Sequence, residues 1–196
     1  MLSELLAQPG VTEESRLAGP IGIMAFHGGS LERMTDVIAA AVADLVDVST
    51  YVVRQPETLR WHVPSREFDP AHSPTLAAFL DHVDTAVAVH GYGRDGMFTT
   101  LLAGGSNRDL AVHVASAVGD ALPEYEVRHD LSTIPEELRG LHPDNPVNRL
   151  RHGGVQLELP PRVRGLGPYW EGHDASGLRP HTGALVAGLA RALSTW

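Results

Sequence analysis

The sequence predicts an α/β fold: a single domain built on a mostly parallel twisted sheet with helices on both faces. Three observations carry this. Short, continuously apolar runs such as IGIMAF (Ile21–Phe26) and TAVAVH (Thr85–His90) end in glycine and match strands buried on both faces. Segments with apolar residues at helical spacing alternate with them, and such alternation implies parallel strands joined by crossover helices. The length of 196 residues fits one domain. A chain of this size buries roughly 70% of its unfolded surface without a disulfide or metal staple.

In chain order, residues Met1–Pro20 lack a clear pattern and are expected to form a flexible arm. Ile21–Phe26 is a buried strand, closed by Gly28–Gly29. Leu31–Val46 repeats apolar residues at helical spacing and predicts a helix. Ser49–Arg54 and Leu59–Val63 read as strands. Ser73–Pro74 opens a helix that runs to about Asp81, with Pro at its first position. Thr85–His90 is an apolar strand, and Met97–Ala103 a further strand closed by Gly104–Gly105. Asn107–Leu122 is a helix and Tyr125–His129 a strand. Ile134–Arg151 is irregular, Val155–Leu159 is an alternating strand, Pro160–Pro180 is a Pro/Gly-rich loop, and His181–Trp196 closes the chain as a helix.

Composition excludes several classes. There is no cysteine, so disulfide scaffolds, cysteine zinc ribbons, iron–sulfur sites and thiol nucleophiles are out. The 15 basic residues, all Arg, face 24 acidic ones, and a net charge of −9 argues against a general nucleic-acid binder. No apolar run approaches the roughly 20 residues of a membrane span. The N-terminus is acidic and mixed, unlike a signal peptide.

The informative residues fall at strand ends, where open α/β sheets place their sites. His27 ends IGIMAF, two glycines permit a sharp turn, and Glu32 follows as the next helix begins. Imidazole and carboxylate are both good zinc ligands, although a glutamate at a helix start also suits the dipole there. His90 repeats the pattern at the end of TAVAVH; a lone histidine in that place is commonly a hydrogen-bonded structural residue. Two histidines and one glutamate, His27, Glu32 and His90, make the three-ligand pattern of a catalytic zinc with an open fourth position. In VQLEL, Gln156 and Glu158 share one face of the strand, opposite Val155, Leu157 and Leu159. A carboxylate inside an apolar strand is costly to bury unless paired, and Glu158 in such a place suits a general base. Asn148 and Arg149, with Arg151 in the same cluster and Arg108 after Gly104–Asn107, suit the grip on a substrate carboxylate. The alternative for each arginine is a solvated surface charge.

Three motif matches lead nowhere. His27-Gly28-Gly29 is like a lipase oxyanion loop, but the chain has no Gly-x-Ser-x-Gly nucleophile elbow. Gly91–Gly96 matches Gly-x-Gly-x-x-Gly, but a strand and not a helix follows it. No His-Glu-x-x-His helix is present.

Taken together, AFHGGSLE (Ala25–Glu32), WHVPSREFDPAHSP (Trp61–Pro74), AVAVHGYG (Ala86–Gly93), LLAGGSNRDL (Leu101–Leu110) and DNPVNRLRHGGVQLELPPRVR (Asp144–Arg164) resemble the poly-γ-glutamate hydrolases of bacteria and their phages. The resemblance implies a zinc-carboxypeptidase-like core, Zn2+ held by His27, Glu32 and His90, and Glu158 as the catalytic carboxylate. It sets Asn148 and Arg149 in the place of an Asn-Arg pair that grips a substrate carboxylate. The expected substrate is an acidic γ-glutamyl polymer or peptide, with no nucleic acid or membrane partner and an oligomeric state left open. The expected location is cytoplasmic, or released by lysis if the gene is of phage origin. Two alternatives stay open: a zinc amidohydrolase or carboxypeptidase acting on a small acylated amino acid or short peptide, and a non-catalytic metal- or anion-binding domain of the same fold. The Pro160–Pro180 loop, with Tyr169 and Trp170, is longer than the compact phage enzymes suggest.

Overall fold

The computed structural model describes residues 1–167 and 177–196. Seven strands form one mixed sheet in the order β1-β3-β2-β4-β7-β5-β6. They are β1 (Thr12–Arg16), β2 (Ile21–Gly29), β3 (Ser49–Gln55), β4 (Thr85–Gly91), β5 (Thr100–Ala103), β6 (Glu126–Arg128) and β7 (Gly154–Leu159). The four central strands β3, β2, β4 and β7 run parallel. The sheet departs from the parallel expectation at its edges: β1 is antiparallel to β3, and β5 is antiparallel to β7.

Alternation along the strands builds the two larger cores. In β2, Ile23 and Ala25 face α2 (Thr35–Leu45), α4 (Arg108–Ala121) and α5 (Pro180–Ser194), packing with Ile38, Val114 and Leu189. Met24 and Phe26 point to the other face, where α1 (Leu2–Leu6) and α3 (Pro74–His82) bring Leu5, Leu76 and Phe79. Helices on both faces follow from strands that are apolar on both sides. The α3 start obeys its sequence signal: the Ser73 hydroxyl accepts from Leu76 N–H at 2.9 Å, with Pro74 at the first helical position.

Several expectations need correction. The N-terminal residues are not a flexible arm. Leu2 and Leu5 are fully buried, and β1 adds to the sheet edge in register with β3. Tyr51 donates its hydroxyl to Glu13 at 2.6 Å, tying β1 down further. We expect Leu5→Ala to cost about 2–5 kcal/mol in denaturant unfolding; a loss below about 0.5 kcal/mol would restore the arm reading. Leu59–Val63 is not a strand, because the Gln55 side chain bonds both polar groups of Trp61 and holds the segment as a loop. The helix expected from Leu31 begins only at Thr35, and the strand expected over Met97–Ala103 is confined to Thr100–Ala103. Part of the Pro160–Pro180 loop, residues 168–176 with Tyr169 and Trp170, lies outside the described residues.

Candidate active site

The parallel strands β2, β4 and β7 deliver His27, His90 and Glu158 to one edge of the sheet. This edge lies at their carboxyl ends, where β2 leads to β3 on one side and β4 pairs on the other. His90 and Glu158 are register partners on adjacent strands.

The turn after β2 brings in Glu32. The β2–β3 register slips between Ala25 and Gly28, a bulge that re-aims the strand end. Gly29 has φ +73°, and a Cβ there would lie 2.2 Å from the Gln55 carbonyl oxygen, so only glycine fits. The chain then folds back until Glu32 N–H donates to the His27 carbonyl at 2.8 Å. His27 Nδ1 thereby sits 2.7 Å from Glu32 Oε1. From β4, His90 Nδ1 lies 3.5 Å from Glu32 Oε2, the oxygen that also accepts from Gly91 N–H at 2.9 Å. His27 is 1%, His90 3% and Glu32 8% exposed.

The sequence reasoning missed His62, which lies in the loop wrongly read as a strand. Its ring centroid is 4.8 Å from that of His27. His27, Glu32 and His62 can each offer one donor atom, all within 4.8 Å of one another, so these three form a group able to hold a metal ion. His90 remains beside them, its ring centroid 5.3 Å from that of His27. His62 is exposed where His27 and His90 are buried.

Donor chemistry fits a cation here. His27 Nε2 is 2.8 Å from the Val63 carbonyl, which only accepts, so that nitrogen must carry the hydrogen. In a neutral ring Nδ1 then presents a lone pair to a carboxylate oxygen at 2.7 Å. Two acceptors at that distance require a proton or a metal ion between them. The Val63 bond also fixes the tautomer and ring direction, as ligating histidines require. The Nε2 of His90 is buried and has no hydrogen-bond partner among the described residues, so the donors are not mutually satisfied.

Charges follow the geometry. Burial alone would raise the Glu32 carboxyl, but the charges of His27 and His90, and their hydrogen bonds, hold it well below the usual carboxylate range. Burial would lower His90, and Glu32 outweighs it to raise it. Burial pushes the Glu158 carboxyl up, opposed by His90 and assisted by Glu32. A buried Arg164, anchored on the carbonyls of Leu159 (3.2 Å) and Arg33 (2.9 Å), sets a fixed positive charge near both carboxylates.

Glu158, 4% exposed, is held by a ladder of amides that sequence reasoning also missed. Gln156 Nε2 donates to Glu158 Oε1 at 2.8 Å, and Asn145 Nδ2 donates to Gln156 Oε1 at 2.8 Å. The ionised carboxylate only accepts, so it dictates the orientation of Gln156, which in turn dictates that of Asn145. One carboxylate oxygen is thus occupied and the other is left for chemistry. The shared polar face of VQLEL was the available signal.

All these groups except Arg164 open onto one cleft of about 520 Å³. Its buried floor includes His27, Glu32, His90, Gln156 and Glu158, and its exposed walls include His62, Arg66, Glu137 and His142. The four residues expected to grip a substrate carboxylate are not brought to this lining. Asn148 ties three backbone groups, those of Ser106, Gly140 and His142. Arg149 faces Asp69 at 3.6 Å, and Arg151 faces Asp84 at 3.7 Å. Arg108 donates to the carbonyls of Gly105, Ala103 and His129.

The sequence model of the poly-γ-glutamate hydrolases matches residues 3–166. The chain belongs to the poly-γ-glutamate hydrolase family. It is accordingly a hydrolase. The solved structures that share the fold of this family member include the following three. A bacteriophage poly-γ-glutamate hydrolase is 23% identical, with a TM-score of 0.75 over 98% of this chain and 93% of its own. The zinc-free apo form of YNDL is 19% identical, with a TM-score of 0.76 over 94% of this chain and 89% of its own. A carboxypeptidase-type protein from Burkholderia mallei is 11% identical, with a TM-score of 0.55 over 100% of this chain and 66% of its own, which matches the expected core. No curated protein matches the hydrolase in sequence. Among its described residues no helix is long and apolar enough to cross a membrane.

Proposed function

We propose that this chain hydrolyses γ-glutamyl amide bonds of poly-γ-glutamate with zinc held by His27, Glu32 and His90. The observation that carries the reading is the meeting of two buried imidazoles and two buried carboxylates in one cleft of a poly-γ-glutamate hydrolase family member. His27 and His90 stand on strands, and rigid elements hold ligands better than loops do. His62, on the exposed loop, faces the same carboxylate from the open side and is a fourth donor available to the ion. Zinc supplies Lewis-acid polarisation of the scissile carbonyl when bound.

The remaining chemistry belongs to the chain's own side chains. Glu158 accepts the proton of the attacking water on the oxygen that Gln156 leaves free, then returns it to the departing amine. Burial raises its proton affinity toward that of a working base. Arg164, whose charge acts on both Glu32 and Glu158, offsets the negative charge of the two carboxylates. Asn148, Arg149, Arg108 and Arg151 lie outside the cleft lining, so they would meet substrate carboxylates where the polymer runs beyond it; of these, Arg149 and Arg151 bring charge that Asp69 and Asp84 face.

The test is chain-length analysis of poly-γ-glutamate incubated with the purified protein. Shortening is expected, lost on chelation and restored by zinc. No shortening by zinc-loaded protein, or full activity in chelator, would overturn the reading. Cleavage confined to short acylated amino acids would favour the small-substrate alternative.

A further inference from the structure

An acidic polymer poses a problem for this cleft. Its floor already holds two buried carboxylates, Glu32 and Glu158, and the whole protein carries a charge of −9. Every γ-linked glutamate brings a free α-carboxylate, on the carbon bonded directly to the amide nitrogen. With Zn2+ bound the two floor carboxylates are balanced and no net positive charge is left over for that anion, so it needs a further cation in the cleft.

The arginines narrow the choice. Arg94 is paired with Glu137, Arg128 with Glu126, Arg54 with Asp36 and Glu14, and Arg191 with Asp120. Arg16, Arg108, Arg139 and Arg164 are spent on backbone carbonyls. Arg149 and Arg151 face Asp69 and Asp84, and Arg162 and Arg179 are likewise engaged. Only Arg33, Arg60 and Arg66 keep guanidinium groups without a hydrogen bond or ion pair among the described residues, and of these only Arg66 lines the cleft. Arg66 projects from the short turn Ser65–Glu67, directly after the loop that carries His62 and the Val63 carbonyl bonded to His27. The one exposed carboxylate among the described cleft residues, Glu137, is already paired with Arg94.

We propose that Arg66 is the specificity-determining anion subsite of the cleft and clamps the α-carboxylate of a γ-linked glutamate beside the scissile bond. The proposal rests on the γ-glutamyl reading above. A planar guanidinium with all its donors free matches a carboxylate with two parallel hydrogen bonds, which a lysine cannot reproduce. The Arg66 side chain is exposed and makes no hydrogen bond or ion pair among the described residues, so its removal is expected to leave the fold intact.

The experiment measures binding and turnover separately. Binding of a γ-linked glutamate oligomer, and of the same oligomer with its α-carboxylates converted to carboxamides, is measured by calorimetry on Glu158→Gln protein with and without Arg66→Ala. Cleavage of both oligomers is measured on wild type, Arg66→Ala and Arg66→Lys. Arg66→Ala is expected to weaken binding of the carboxylate oligomer roughly tenfold and raise KM alike, with kcat nearly unchanged and the carboxamide oligomer unaffected. Arg66→Lys should recover only part of the loss, and high salt should shrink the difference. Equal effects on both oligomers, or none, would overturn the proposal. Wild type that binds the oligomer through Arg66 without cleaving it would overturn the γ-glutamyl hydrolase reading and leave the subsite standing. Failure of both oligomers to bind would overturn both.

Discussion

Glu158→Gln should lower kcat by about 10²–10⁴-fold while leaving metal content and KM close to wild type. The substitution keeps shape and removes only the proton acceptor. Its oxygen can still accept from Gln156 Nε2, so the amide ladder through Asn145 survives. The same change removes a buried charge, and a buried carboxylate is costly. The metal-free variant is therefore expected to melt no lower than wild type, so lost activity would not reflect lost fold. Near-normal turnover by Glu158→Gln would show that the base is another group. Glu158→Ala is a poorer probe, because it strands the Gln156 donor and opens a cavity.

Glu32→Gln should abolish stable metal binding, with affinity falling at least about 100-fold and activity following the metal. The carboxylate sits between two imidazoles and accepts from Gly91 N–H, so both of its oxygens are in use. An amide offers one acceptor and presents a donor to the other side, where His90 or the Gly91 N–H needs an acceptor. Stability of the metal-free protein at neutral pH should fall by about 1–3 kcal/mol. The acid side supplies a second readout. The folded protein holds the Glu32 carboxyl below its ordinary value of 4.5, so its contribution is present above that pH and is lost as pH falls below it. Wild type should therefore lose its advantage over Glu32→Gln on acidification. A variant that binds zinc as wild type does, by calorimetry or elemental analysis, would remove Glu32 from the ligand set.

The parts of this molecule legible in sequence were those with strong local patterning. Strands β2, β4 and β7 are buried on both faces, so their apolar runs stand out, and the residues that end the runs stand at the site. His27, His90 and Glu158 could thus be aligned without knowing any contact. Glycines at 28 and 29 marked the turn that returns Glu32. What stayed hidden depends on pairing between distant segments. His62 lies in a loop that imitates a strand, because two side-chain bonds from Gln55 replace a ladder. Strand β1, TEESR, carries charges on an exposed sheet edge, which guards against edge pairing and also disguises it as a tail. The arginines were least legible. Sequence states their charge but not their partner, and Asp69, Asp84 and a set of carbonyls claim Arg149, Arg151 and Arg108. Arg66, with nothing to announce it, is the one left facing the cleft.

The proposed chemistry requires a single ion bound among side chains that come from β2, its following turn and β4. Crystals grown with zinc and recorded on both sides of the zinc absorption edge test this directly. One strong anomalous peak is expected within about 2.0–2.2 Å of Nδ1 of His27, Nδ1 of His90 and a carboxylate oxygen of Glu32. A peak elsewhere, or zinc-saturated protein with no peak in this cleft, would contradict it.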